Sequence, residues 1–186
     1  MKNKTQPIMQ AKNIYFPKRS STDEYLENEK EYCEKMKKIL PNFPEEVLLQ
    51  WFYRHCRQDI DDYAWLDYPT LQFEKEKWNS GKISLSGIQK NEKVQINKAH
   101  FESGIKAKHT DDIKKHFEEQ FTWPIAPILL YNPDNNMSLL NGYRLTSPYH
   151  PLDGNHRLGI FISFFENSII SKERMHFVWI AKTKNV

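Results

Sequence analysis

Residues 149–165 read YHPLDGNHRLGIFISFF. Tyr149-His150-Pro151-Leu152 runs into the turn Asp153-Gly154-Asn155-His156-Arg157. The turn feeds Leu158–Phe165, which is apolar nearly all round. A segment with no polar face belongs in an interior, as a buried helix or as a buried strand. Upstream, Pro127-Ile128-Leu129-Leu130-Tyr131-Asn132 is a short apolar run ending in the turn signal Asn132–Asn136. The stretch from Met137 to Leu145 reads as extended. Downstream, His176–Ala181 is rich in strand formers. Thr110-Asp111-Asp112 can cap a helix over Ile113–Glu119. The order in the last third is therefore helix, strand, strand, tight turn, buried helix, strand, and the fold class expected is α+β.

Further out, the pattern turns helical. Apolar residues at Tyr25, Leu26, Tyr32, Cys33, Met36, Ile39 and Leu40 keep helical spacing, with Thr22 or Asp23 as the cap and Pro41 and Pro44 as breakers. Pro44-Glu45-Glu46 opens a second helix expected to reach about Cys56. Residues 58–80 read as a short helix with irregular packing. Lys82–Ser86 alternates like a strand, and Val94-Gln95-Ile96 is a second candidate strand. Residues 1–21, with Pro7 and Pro17, read as a loosely held arm. The expected organisation is that arm, a mainly helical region over 22–104, and the α+β domain over 105–186.

Composition bounds the rest. A chain of 186 residues can bury about 70% of its unfolded surface without staples. The 5 Trp, 9 Tyr and 11 Phe supply a core even though 27% of residues are charged. Two cysteines exclude a disulfide framework and a cysteine-only zinc site. No apolar run approaches the ~18 residues of a membrane helix, and no signal-peptide core opens the chain, so no membrane partner is expected. A reducing cytoplasm is the natural setting; export by a machine that ignores signal peptides is compatible with the same sequence. A net charge of +3 is too small to argue for nucleic acid by itself.

Chemistry concentrates in the turn. Gly154 permits positive φ and close approach of a ligand to the backbone. If a helix starts at Asn155 or His156, its free N–H groups point back at the turn and form an anion site. Arg157 can grip a phosphate with two parallel hydrogen bonds. His156 suits general acid work or phosphate donation. Asp153 suits a divalent cation or proton acceptance. The plainer reading has equal weight from pattern alone: Asp-Gly-Asn is common turn chemistry, and Asp153 or Asn155 can simply cap a helix.

The arrangement around "LDGNHRL", with a strand before it, an apolar helix after it and "FVWIA" closing the chain, resembles the ParB/sulfiredoxin-like superfamily over residues 110–182. That resemblance implies a small mixed sheet with helices and a G-x-(H/R)-R turn that holds nucleotide phosphates, ATP in sulfiredoxins and CTP in ParB partition proteins. By position, Gly154, Asn155, His156 and Arg157 would line the triphosphate, with Asp153 beside them and Mg2+ as the accompanying ion. Asn155 stands where sulfiredoxins carry a catalytic cysteine, which argues against sulfinic-acid reduction. Gly159 follows Leu158 where partition proteins continue an arginine pattern, which argues against CTP clamping. Residues 150–157, "HPLDGNHR", also resemble the Fic motif, whose enzymes transfer AMP; here the spacing is one residue short and His156 replaces the second glycine.

The function expected is nucleotide-dependent phosphoryl processing, with ATP or another NTP as substrate or ligand. Asp153 and His156 are the catalytic candidates, and Asp153 is the metal candidate. A nuclease acting on DNA, a nucleotide sensor and a Fic-like transferase are the alternatives. A protein partner could use the N-terminal helical region. Other clusters read more plainly. His100, His109 and His116 read as solvated histidines, and Trp51, Tyr53, His55 and the aromatics at 63–78 as core rather than base-stacking surfaces. Arg54, Arg57, Glu45, Glu46, Asp59, Asp61 and Asp62 read as surface charge. Tyr143 and Arg144 either reach the turn or pack.

Overall fold

The computed structural model describes residues 14–54, 63, 65–105, 110–138 and 144–183. The chain forms two compact units, one built from residues up to Phe73, the other from Glu74–Ser138 and Arg144–Lys182. Residues 74–104 thus share a unit with the stretch expected to form the α+β domain. Residues 1–13 of the expected arm lie outside the described residues.

In the first unit, α1 spans Glu29–Ile39. Asn28 caps it: its side chain accepts from the Glu31 N–H, while the Glu31 carboxylate accepts from the Asn28 N–H. This box moves the start beyond the expected Glu24. Asp23 instead takes a positive φ of 67°, and Tyr25 and Leu26 stay exposed. Tyr32, Cys33 and Met36 face inward. A short α2, Glu45–Val47, follows Pro44 and widens into a π-helix over Leu48–Tyr53, closed by a bond from the Arg54 N–H to the Leu49 carbonyl. The wide turn buries Trp51, Phe52 and Tyr53. Trp51 and Phe52 meet Tyr68 edge-on at 5.7 and 5.1 Å. These rings are core, as their spacing suggested. His55 and Cys56 lie outside the described residues.

The second unit carries the sheet. β1 spans Gln72–Asn79, where a short helix and irregular packing had been expected. Among the described residues before it, Tyr68–Thr70 forms a helical turn of 3-10 type. Asn79 then accepts from the Lys82 N–H at 2.7 Å and starts α3, Ser80–Leu85. Asn91 likewise accepts from the Val94 N–H at 3.1 Å and starts α4, Glu92–Glu102. Both expected strands, at 82–86 and 94–96, are therefore helical: an asparagine cap outweighs a brief apolar alternation.

The remaining elements are α5, Thr110–Gln120; β2, Ile128–Tyr131; β3, Tyr149–Asp153; α6, Asn155–Glu166; and β4, Met175–Lys182. Between β2 and β3, Ser138 and Arg144 form an antiparallel bridge, and 139–143 lie outside the described residues.

The strands lie in the order β1-β4-β2-β3. β2 runs antiparallel to β3 and parallel to β4. Contacts from Glu74–Lys182 to Ser80–Arg174 set β1 antiparallel to β4. The fold is α+β with a small mixed sheet. Leu158, Phe161 and Phe164 of α6 join Trp78, Phe117, Trp123, Val178 and Ile180 in one core. The apolar run 158–165 is thus a buried helix.

His176 is buried in this core. Ser80 donates to the Arg174 carbonyl at 3.2 Å, so His176 Nε2–H donates to Ser80 (2.9 Å) and Nδ1 accepts from Thr122 (2.9 Å). Burial, helped by nearby Arg174, lowers its pKa from 6.5 to about 4.

Gly159 sets how closely α6 crosses α4. A Cβ there would lie 2.7 Å from the Lys98 nitrogen and 3.0 Å from Asn97 Cβ. Lys98 anchors the crossing through Glu166 of α6 at 3.0 Å and also pairs with Glu102 on its own helix at 3.0 Å. Gly159→Ala should destabilise the protein by about 1–3 kcal/mol, because backbone must move to admit the methyl group. Chemical denaturation checks this; an unchanged midpoint would refute the tight crossing.

Candidate functional site

The turn forms where β3 ends and α6 begins. Gly154 is the N-cap residue of α6, with φ 94° and ψ 20°, a left-handed conformation that favours glycine. Space demands glycine as well. A Cβ would sit 2.8 Å from Pro127 Cβ and 3.0 Å from the Arg157 guanidinium. Glycine brings no side chain to cap the helix. The first N–H groups of α6 thus meet no cap from this residue, at the positive end of the helix dipole.

Arg157 folds back across the turn. Nη2 donates to the Asp153 carboxylate, and Nη1 donates to the Ile125 carbonyl at 2.9 Å. The pair spans one helical turn and is nearly closed to water, with Asp153 and Arg157 side chains 8% and 11% exposed. The expected phosphate grip therefore comes already tied to the expected metal ligand. The Asn155 Oδ1 is buried with no hydrogen-bond partner. Five residues thus hold a buried ion pair, a helix start with glycine at its N-cap and a buried amide oxygen without a partner.

His156 lines a shallow groove with Asn97, His100, Phe101, Ile105, Thr110 and Ile160. Helices α4, α5 and α6 each contribute. His100 thus joins His156, a pairing invisible in the sequence because 56 positions separate them. His109 lies outside the described residues, and His116 does not line the groove. Tyr143 is also outside them. Arg144 is exposed in its bridge with Ser138, at the far end of β3 from the turn. In the first unit, Arg54 pairs with Glu29 (3.1 Å) and Glu45 with Lys37 (3.0 Å), as surface charges do. Arg57, Asp59, Asp61 and Asp62 lie outside the described residues. Among the described residues, no group of three or more His, Cys, Asp or Glu is arranged around a metal position. No helix among them is long and apolar enough to cross a membrane.

One anchor of the turn and one buried histidine beside it in sequence had no role assigned from the residues alone. The Ile125 carbonyl, just before β2, anchors Arg157. His150, on β3, is buried; its Nδ1 accepts from the Thr146 N–H at 3.1 Å, which fixes the neutral ring with its proton on Nε2. Burial, with a smaller push from Lys93, lowers its pKa from 6.5 to about 4. Alternation along β3 could have placed His150 inside, but nothing local marks a carbonyl as an anchor.

Comparison of the chain with protein-family models, with curated proteins and with solved structures finds no match.

His150 and His176 make stability pH-dependent. Each binds a proton in the unfolded chain near pH 6.5 and refuses it in the folded state until about pH 4. Their contribution is complete above pH 6.5 and is lost as pH falls through that window, by roughly 3 kcal/mol per histidine. Urea melts from pH 7.5 to 4 should show this decline. His150→Asn, which keeps an acceptor near Nδ1 and cannot titrate, should flatten it; an equally steep profile would refute the assignment.

Proposed function

We propose that the Asp153–Arg157 turn binds the phosphates of a nucleotide, ATP or another NTP, and that the protein processes a phosphoryl group there. The observation that carries this reading is the glycine-capped start of α6, beside the Asn155 Oδ1 that is buried without a partner. Helix-terminal N–H groups suit a phosphate oxygen, and the Asn155 amide suits a ribose hydroxyl or, with the amide turned, a further phosphate oxygen. The strand leading into the turn, and the mixed sheet around it, agree with the ParB/sulfiredoxin-like resemblance better than with the helical Fic domain.

In this reading the Asp153–Arg157 pair is a resting state. An arriving phosphate competes for the Arg157 guanidinium, which favours planar, bidentate oxygen partners. Asp153 would then be the carboxylate available to Mg2+ carried by the nucleotide, an ion commonly held by one or two carboxylates plus phosphate oxygens. Gly154 lets the backbone approach the phosphates, and His156 is placed to move a proton at the groove side of the turn. The groove that His156 shares with His100 and Phe101 is small and borders the turn.

The test is binding and turnover of ATP, CTP and GTP with magnesium, with supercoiled plasmid in parallel as substrate for the nuclease alternative. Arg157→Ala should weaken nucleotide binding by about 10- to 100-fold, the loss of a charge-assisted hydrogen bond. It also leaves Asp153 buried and unpaired, so the double variant Asp153→Asn/Arg157→Gln keeps a neutral hydrogen-bonded pair and separates binding from folding. Unchanged affinity in the double variant, or no nucleotide bound by the parent, would overturn the reading.

A further inference from the structure

The sheet carries a second feature, independent of the turn. β1 reads Glu74-Lys75-Glu76-Lys77-Trp78, and a strand sends alternate side chains to opposite faces. The contacts follow that sorting. Glu74 pairs with Lys182 at 2.6 Å. Glu76 accepts from Trp78 Nε1 at 2.6 Å and from Lys82 at 3.3 Å. These groups lie on the side of Trp78, Val178 and Ile180, which are buried in the core. Lys75 and Lys77 project to the other side, beside Phe177 and Trp179 of β4. Lys75 Nζ lies 5.6 Å from the Phe177 ring centre and 5.1 Å from that of Trp179, and Lys77 Nζ lies 5.7 Å from Phe177. Phe177 is 50% exposed.

We infer that this face of β1 and β4 binds single-stranded nucleic acid. Phe177 and Trp179 share one side of one strand, about 6.6 Å apart at the rise of a strand. The exposed Phe177 ring can take one base of an extended strand, with the half-buried Trp179 ring beside it, and base–aromatic stacking is tolerant of sequence. The lysine ammonium groups that lie over these rings supply the cations that track a phosphate backbone, moving aside as a base stacks. A duplex keeps its bases inside the stack and offers no such partners. An acidic peptide would use the lysines and leave the rings idle. The plainer role of the lysines, guarding an edge strand against pairing with another chain, accounts for their charge but not for the exposed ring between them.

The test uses the full chain and a fluorescein-labelled ten-residue oligothymidylate, read by anisotropy, with a duplex of equal length and size-exclusion chromatography alongside. Single strand should bind in preference to duplex. Phe177→Ala should weaken binding between about fivefold and a hundredfold, the cost of one lost base stack. Lys75→Ala/Lys77→Ala should lower the slope of log affinity against log salt by about 0.7 per lysine engaged. All three positions are exposed, so melting curves should stay close to the parent's, and nucleotide affinity at the α6 turn should be unchanged. Four results would overturn the inference: no binding, duplex bound as well as single strand, binding indifferent to both variants, or variants that act only by dissolving self-association of the chain.

Discussion

The buried pair between Asp153 and Arg157 is the constraint on which the site depends. Removing two charges from water costs several kcal/mol, and their attraction offsets this only when geometry and further hydrogen bonds are good. Here the guanidinium is also held by the Ile125 carbonyl, so the end of β3, the first turn of α6 and the segment before β2 are fixed against one another. Such a pair contributes definition of geometry more than net stability. Its path crosses directly over Gly154, and that crossing, with Pro127 on the other side, leaves no room for a Cβ. The glycine, in turn, is why α6 begins without a side-chain cap.

The rest of the second unit holds that turn in place. Gly159 lets α6 lie against the α4 backbone, and Phe117, Trp123, Phe161 and Phe164 fill the space behind it. His176 and His150 sit in this frame as neutral rings, each matched to hydroxyl or backbone partners. A turn built to bind an anion must keep its N–H groups oriented before the anion arrives, since donors that need no reorganisation stabilise charge best. In the proposed reading, a resting ion pair that a phosphate displaces would meet that need while avoiding an unpaired buried arginine.

Much of this was legible in the residues. The strands at 128–131, 149–153 and 175–182 and the helix at 110–120 follow from apolar runs, turn signals and capping residues. The run 158–165 was ambiguous because an all-apolar segment lacks the polar face that distinguishes periods of 2 and 3.6. Helices α3 and α4 were misread as strands: Ile83 and Leu85, or Val94 and Ile96, alternate briefly, and the deciding residues are the caps Asn79 and Asn91 just outside. β1 was missed because its alternating glutamates and lysines look like solvated charge, whereas their sorting between two faces is itself the strand signal. At the site, the local cluster 153–157 was visible. Its tie to Ile125 and the meeting of His156 with His100 depend on tertiary packing that no local pattern records.

The central claim is that the start of α6 receives a nucleotide's phosphates. The most direct measurement is the shift of backbone amide resonances in 15N-labelled protein as magnesium and a non-hydrolysable ATP or CTP analogue are added. The account predicts that the largest shifts fall on Gly154, Asn155, His156 and Arg157, with a smaller set along the groove at Asn97, His100 and Phe101. Saturation with no shift at residues 154–157, or shifts confined to other parts of the chain, would contradict it.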